Sequence, residues 1–175
     1  MGDYLKIWNQ QNALSHFDLF NEIAKDVASP DFKDFTRGRK TELIRTLTGI
    51  SAKENNAGLH EIFARPAVGI LIGLISDEDE NTRYEAVHGL GALGWHYEDD
   101  APDALSAMAC LIDDENKTIR RTVAHYAGVL GNKHKSIASH AFELLDTLRH
   151  DDDIAVRQEC VLRRSEEHTS ELQSH

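Results

Sequence analysis

The chain has 175 residues, 41% of them hydrophobic and 28% charged, with a formal net charge of −11. That length and balance suit one compact domain or one short repeat array with a buried core, and exclude a disordered chain. No apolar run approaches the ~18 residues needed to span a bilayer, and the acidic balance argues against a nucleic-acid partner.

The chain opens "MGDYLKIWNQ", with Asp3 early and no apolar signal core, so a cytoplasmic protein is expected. Residues 13–28, "ALSHFDLFNEIAKDVA", have the spacing of an amphipathic helix. "KTELIRTLTGI", 40–50, forms another around Leu43, Leu47 and Ile50, and "SAKENNAG", 51–58, reads as a linker. Beyond it the chain repeats itself. "LISDEDENTRYEAVHGLGALG", 74–94, returns 37 residues later as "LIDDENKTIRRTVAHYAGVLG", 111–131, with nine identities in 21 and no gap. A third copy, "LRHDDDIAVRQECVLR", 148–163, keeps Leu148, Asp151 and Arg157 in register. A fixed period of this length is the signature of a solenoid.

Each unit reads as two helices. The first carries an apolar stripe such as Leu105, Met108 and Leu111, and in two units begins beside Pro66 or Pro102. An acidic turn follows, with Asp79, Asn116 and Asp153 as N-caps. The second helix buries Ala86, Leu90 and Leu93, then Val123, Ala127 and Leu130 in the next copy. Each internal glycine costs a helix about 1 kcal/mol relative to alanine. The expectation is therefore that Gly94 and Gly131 end their helices in a left-handed cap, and that Gly91 and Gly128 admit a neighbouring helix. Cys110 and Cys160 are expected to be buried reduced thiols.

The pattern Asp77…Arg83-x-x-Ala86-x-x-x-Leu90-Gly91-x-Leu93-Gly94 resembles a HEAT repeat, of the short kind found in phycobilin-lyase-type proteins, over about residues 59–163. The resemblance implies an all-α, right-handed α-solenoid of HEAT-like helix pairs. It also implies a ladder between adjacent repeats, built from Asp77, Asp114 and Asp151 with Arg83, Arg120 and Arg157. Residues 1–58 then form a divergent N-terminal helical pair. They lack the period, since 37 residues before Arg83 and Leu90 stand Thr46 and Lys53. Residues 59–163 form three repeats, the last cut short. "RSEEHTSELQSH", 164–175, resembles the translation of a sequencing-library adapter, and is read as a non-native tail. Without it the formal charge is −9.

Chemistry-bearing signals are few. Deoxyhypusine hydroxylases, also HEAT-repeat proteins, hold iron with His-Glu pairs placed directly after the second-helix arginine. The matching positions here are Tyr84-Glu85, Arg121-Thr122 and Gln158-Glu159, so that activity does not carry over. His60-Glu61 stands elsewhere and reads as a solvated helix start. His88 and His125 recur one period apart, about 140° around the helix from their arginines. With Tyr84, Glu85, Arg121 and Tyr126 they are expected to line a shallow groove on the concave face, a composition suited to a protein interface. Two histidines on neighbouring helices about 10 Å apart cannot share one metal, so neither metal nor cofactor is expected. Acidic clusters at 77–80, 113–115 and 151–153 would stack into an edge suited to a basic partner, and "WHYEDDAPD", 95–103, offers two aromatics on an inter-repeat loop.

The expected function is thus a protein-interaction scaffold, binding a partner through the concave face, with no nucleic acid and no membrane. A subunit of a lyase acting on a bilin-like or protein-bound substrate is the alternative. A nucleic-acid-binding solenoid, like those of DNA alkylation repair, stands behind both.

Overall fold

The computed structural model describes residues 13–53 and 60–173, with side chains over 16–52 and 60–165. Eight α-helices follow one another: α1 (Ala13–Val27), α2 (Arg37–Lys53), α3 (Arg65–Leu74), α4 (Glu80–His96), α5 (Ala101–Ala109), α6 (Lys117–Lys133), α7 (Ala138–Leu148) and α8 (Ile154–Gln173). They form four antiparallel pairs, the all-α solenoid expected from the period. None of these helices is long and apolar enough to cross a membrane. The linker expected at 51–58 falls largely outside the described residues, and its first three belong to the last turn of α2.

Local chemistry sets the helix starts. Pro66 and Pro102 occupy the first turns of α3 and α5, where a missing N–H costs nothing. Asn116 Oδ1 accepts from Thr118 N at 2.8 Å, and Asp153 Oδ1 from Ala155 N at 2.8 Å. Asp79 departs from this: its carboxylate accepts from the Thr82 hydroxyl at 3.0 Å.

The apolar stripes meet in one continuous core running from Leu19 in α1 to Cys160 in α8. Leu90 and Ala127, one period apart, are both fully buried within it. Full burial of a leucine-sized side chain contributes about 1.5–3 kcal/mol, and α2, α4 and α6 each contribute such side chains. The second helices α2, α4, α6 and α8 pack on one another along the array, whereas α3, α5 and α7 touch their counterparts much less. The array therefore curves with its second helices on the inside.

The first pair shares this register, contrary to the sequence reading. Helices α2, α4 and α6 each span 17 residues. The step from α2 to α4 is 43 residues, six more than the 37 from α4 to α6. With that offset, Leu43, Ile44, Leu47 and Ile50 of α2 match Ala86, Val87, Leu90 and Leu93 of α4, and all eight are at most 1% exposed. The extra six residues lie between α2 and α3, because α3 and α4 keep the period of later units.

The ladder runs through the same seams. Arg83 Nε donates to Asp114 Oδ2 at 2.7 Å and Nη2 to Oδ1 at 3.1 Å, while Nη1 holds the carbonyls of Asp77 and Glu78. Arg120 repeats this on Asp151 at 2.7 and 2.9 Å. The match to Arg83 in α2 is Lys40, whose Nζ lies 3.5 Å from Asp77. Three seams thus carry three rungs, the first with lysine in place of the arginine fork. Burial alone would raise the Asp114 carboxyl, but Arg83, the Asn116 amide and Arg120 together outweigh it and hold it below its usual range. Arg120 holds Asp151 down to about 2.

Several sequence expectations need correction. Gly94 and Gly131 do not cap their helices in a left-handed turn. They lie inside α4 and α6, which end in extended Tyr97 and His134. A methyl on Gly131 would stand 2.6 Å from Ala141 Cβ, and one on Gly94 would lie 3.4 Å from Ala101 Cα. Close helix approach is their purpose. Cys110 is exposed at the end of α5, and only Cys160 is buried. His60 is no solvated helix start: it is buried in a π-helical turn, with Nε2 2.7 Å from Asp100 Oδ2 and its ring 4.7 Å from Tyr97. Asp100 is itself fully buried, with Arg65 Nη1 3.1 Å from its other oxygen. Tyr97 donates its hydroxyl proton to the Ser51 carbonyl at 2.7 Å. This polar knot ties the end of α2 and the start of α3 to the loop before α5.

Candidate functional site

The inner surface is set by helical geometry. Residues that follow the buried stripe by about 100–140° on α4 and α6 project into the bend of the array. Tyr84, Glu85 and His88 come from α4, and Arg121, His125 and Tyr126 from α6. The six stand next to one another along the α4–α6 seam.

Their contacts run from unit to unit. The Tyr84 and His88 rings meet edge-on at 4.5 Å between centroids, and the His88 and Tyr126 rings at 5.4 Å. His88 Nδ1 lies 2.9 Å from the Tyr126 hydroxyl. Burial, reinforced by His125 and Arg45, lowers the His88 pKa against the pull of Glu85. A neutral His88 with its proton on Nε2 accepts that hydroxyl proton at Nδ1. Burial likewise raises Tyr126, so the phenol keeps its proton.

Two residues that pattern reading missed complete the strip, Arg45 from α2 and Glu159 from α8. Arg45 donates to both oxygens of Glu85, at 2.8 and 2.7 Å, and its pKa rises with that bonding. Glu159 accepts from Arg121 at 3.3 Å and Arg163 at 2.9 Å, and lies 3.1 Å from His125 Nδ1. Burial opposes its ionisation, but these three partners outweigh it and keep its pKa low. The register supplies the signal for both. Arg45 stands where His88 and His125 stand in later units, and Glu159 stands where Glu85 does.

Glycines determine how deep the strip is. A Cβ on Gly91 would lie 2.2–2.5 Å from the Tyr126 ring, and one on Gly128 would lie 2.3–2.9 Å from the Arg163 side chain. Tyr126 and Arg163 are one period apart, so the second and third seams each lay one large side chain over the glycine of the unit before it. Two hollows result. One of about 380 Å³ lies between α2 and α4, lined by Arg45, Thr48, Tyr84, His88, Gly89 and Tyr126. The other, of about 260 Å³, lies between α4, α6 and α8 and is lined by Tyr84, His88, Arg121, Thr122, His125 and Glu159. Tyr84 and His88 are shared between them. Although their carboxylate partners are buried, the Arg45 and Arg121 side chains are 67% and 56% exposed.

The other two candidate surfaces are weaker. In the acidic turns Asp77, Asp79, Asp114, Asp151 and Asp153 are occupied by Lys40, Arg37, Arg83, Arg120 and Lys117. Glu78, Asp113, Glu115 and Asp152 are exposed, although Asp152 also accepts from Arg120 at 2.6 Å and Glu115 lies 3.6 Å from Arg83. In the loop at 95–103 Tyr97 is tucked inward, leaving Trp95 exposed beneath Lys133, whose ammonium sits 3.9 Å from the ring centroid.

The family model for HEAT repeats matches residues 43–124 and again 67–163, together well over half of the chain. The crystal structure of an engineered protein superposes with a TM-score of 0.57 at 13% identity, covering 91% of this chain and 77% of that one. At that identity the likeness shows a common fold alone. No curated protein matches the chain. With the period, the ladder and the family match in agreement, the chain belongs to the HEAT-repeat family.

Proposed function

We propose that the protein is an interaction scaffold whose concave strip holds an extended or helical segment of a protein partner. HEAT repeats typically serve as protein-interaction scaffolds. The observation that carries this reading is the double hollow around Tyr84 and His88, with Arg45 and Arg121 exposed at either side. Aromatic and arginine side chains are the residue types that dominate binding energy at interfaces. They are pinned here by Glu85, Glu159 and Tyr126, so little side-chain freedom remains to be lost on binding. A hollow shared between two units suits a partner segment laid across the seam more than a small molecule seated in one pocket.

The test is affinity capture from native lysate with the wild-type chain and with Tyr84→Ala plus Arg121→Ala, both first matched by circular dichroism. A partner recovered by the wild type and lost by the double variant supports the reading. Equal recovery by the two proteins refutes it.

A further inference from the structure

Residues 89, 126 and 163 stand one period apart on α4, α6 and α8, and each faces the inner helix before it. At the second seam Tyr126 lies over Gly91, and at the third Arg163 lies over Gly128. The first seam inverts the relation, because the covering residue is Gly89 and the one it meets is Thr48. A Cβ on Gly89 would stand 2.7 Å from both Thr48 Oγ1 and Leu71 Cδ1, so position 89 admits no side chain of its own. The hollow of about 380 Å³ between α2 and α4 lies where later seams carry a large side chain.

Two neighbours of this hollow have no reason inside the chain. Gly49 lines it from within α2, where alanine would make a better helix, yet a Cβ there would meet nothing within 4 Å. Close packing accounts for Gly91 and Gly131 but not for Gly49. In the floor, Thr48 Oγ1 is buried with no hydrogen-bond partner. Thr46 and Ser51 on the same helix bond back to the carbonyls of Glu42 and Leu47, and Thr48 has no such bond. A buried hydroxyl left without a partner is costly.

Charge decides what suits the space. Arg45 and Glu85 meet through two hydrogen bonds and cancel, and neutral His88 adds no charge. A carboxylate or phosphate would face Glu85 with no free cation to offset it. A guanidinium, which Arg163 supplies at the third seam, would find the matching acid taken and Arg45 beside it. An uncharged side chain meets neither objection. The Tyr84, His88 and Tyr126 rings stand in the walls, and aromatic rings gain from edge-on contact. Arg45 Nη1 and His88 Nε2 have no hydrogen-bond partner among the described residues, so an acceptor is wanted on the entering ring. A phenol satisfies each condition. It is also what the chain lays over its second seam, where the Tyr126 hydroxyl meets His88, the residue in Arg45's register position. We infer that the first-seam hollow is an anchor pocket for one tyrosine side chain of a protein partner, its hydroxyl directed at Arg45 and Thr48. This rests on the groove proposed above and names the side chain that seats the partner in it.

The test is titration of the isotope-labelled full chain with capped tripeptides Ala-X-Ala, where X is tyrosine, phenylalanine, arginine or glutamate, followed by amide chemical shifts. The tyrosine peptide should shift the amides of Thr48, Gly49, Gly89 and Ala92 saturably. The phenylalanine peptide should bind about five times more weakly for want of a hydrogen bond, and the arginine and glutamate peptides should leave those amides in place. Gly49→Leu fills the hollow from α2, where the space is open, and should abolish the shifts while melting no lower than wild type. Ala92→Leu, which fills it from α4, should act alike. No shift with the tyrosine peptide, equal binding by any of the other three, or binding that survives both filling variants would each overturn the proposal. A partner lost on Tyr84→Ala plus Arg121→Ala but kept by Gly49→Leu would leave the groove standing and remove the anchor.

Discussion

Replacing Asp114 by alanine removes the acid of one ladder rung and tests whether the seams are held as described. Asp114 accepts from Arg83 Nε at 2.7 Å, Arg83 Nη2 at 3.1 Å and the Asn116 amide at 2.8 Å. The side chains of Arg83 and Asp114 are only 10% and 4% exposed, so water cannot take over for the lost carboxylate. Breaking a buried pair from one side costs about 3–5 kcal/mol, because a charge is left behind without its partner. Glu115, mostly in water and 3.6 Å from Nη2, offsets part of this. The expected loss is about 3 kcal/mol, at the lower end of that range. For a chain of this size each kcal/mol lowers the melting temperature by about 2–4 °C, so the midpoint should fall by about 6–12 °C. Thermal melts followed by circular dichroism measure it. Asp113→Ala, next door, exposed and unpaired, is the control and should stay within about 0.5 kcal/mol of wild type. Combining Asp114→Ala with Arg83→Ala should cost clearly less than the two singles added together. A midpoint within about 2 °C of wild type for Asp114→Ala would refute the reasoning.

Three further outcomes follow from the same geometry. Asp114 and Asp151 have carboxyl pKa values lowered by folding, the latter from 3.8 to about 2. Their stabilisation is therefore whole above the unfolded value and fades as the pH falls through the folded one. The stability gap between wild type and Asp151→Asn should be open at neutral pH and closed by about pH 2, as read by urea melts along the acid limb; a constant gap contradicts the assignment. Gly91→Ala should displace the Tyr126 ring, break its bond to His88 and destabilise the chain in spite of a gain in helix propensity of about 1 kcal/mol. Gly69→Ala, with nothing within 4 Å, should stabilise it, and equal effects at the two glycines would show that packing is not their purpose. A thiol reagent should modify Cys110 readily in the native chain and Cys160 only on unfolding, since burial raises the Cys160 thiol to about 11; two equally fast thiols would contradict the burial.

The repeats from Leu74 onward were legible because each seam reuses the same side chains. An aspartate, an arginine six residues later, an alanine or valine three beyond it and a leucine ten beyond it recur from Asp77 to Leu93 and again from Asp114 to Leu130. The first pair was not legible, although it obeys the same rule, because six added residues before α3 shift its register from 37 to 43. Once shifted, its ladder residue is Lys40, a lysine where the pattern wants arginine. The glycines were recognised as special but assigned the wrong reason at Gly94 and Gly131. A helix-ending glycine and a close-packing glycine look alike in sequence, and only the neighbour, Ala141 for Gly131, distinguishes them. His60 was misread because its partner Asp100 lies 40 residues away, a separation matching no helical or repeat period. The candidate groove residues were singled out by the recurrence of His88 and His125. Arg45 and Glu159 were missed because each fills a recurring position with a different residue type.

The inner strip also shows how a chain of net charge −11 comes to hold exposed arginines. Glu85 and Glu159 are almost fully buried in its floor, and a buried carboxylate is tolerated only when cations and hydrogen bonds surround it. Arg45 meets that need for Glu85, and Arg121, Arg163 and His125 meet it for Glu159. The guanidinium groups of Arg45 and Arg121 are thereby held in place with much of their charge already neutralised, while their planes stay open to solvent. On the proposed function, such a surface would attract a partner weakly at long range and hold it at contact, through stacking on Tyr84, His88 and the arginine planes and through the remaining N–H groups. The exposed acids at the turns, Glu78, Glu115 and Asp152, belong to the ladder's outer edge. A partner drawn by those acids would meet a different surface from the proposed groove.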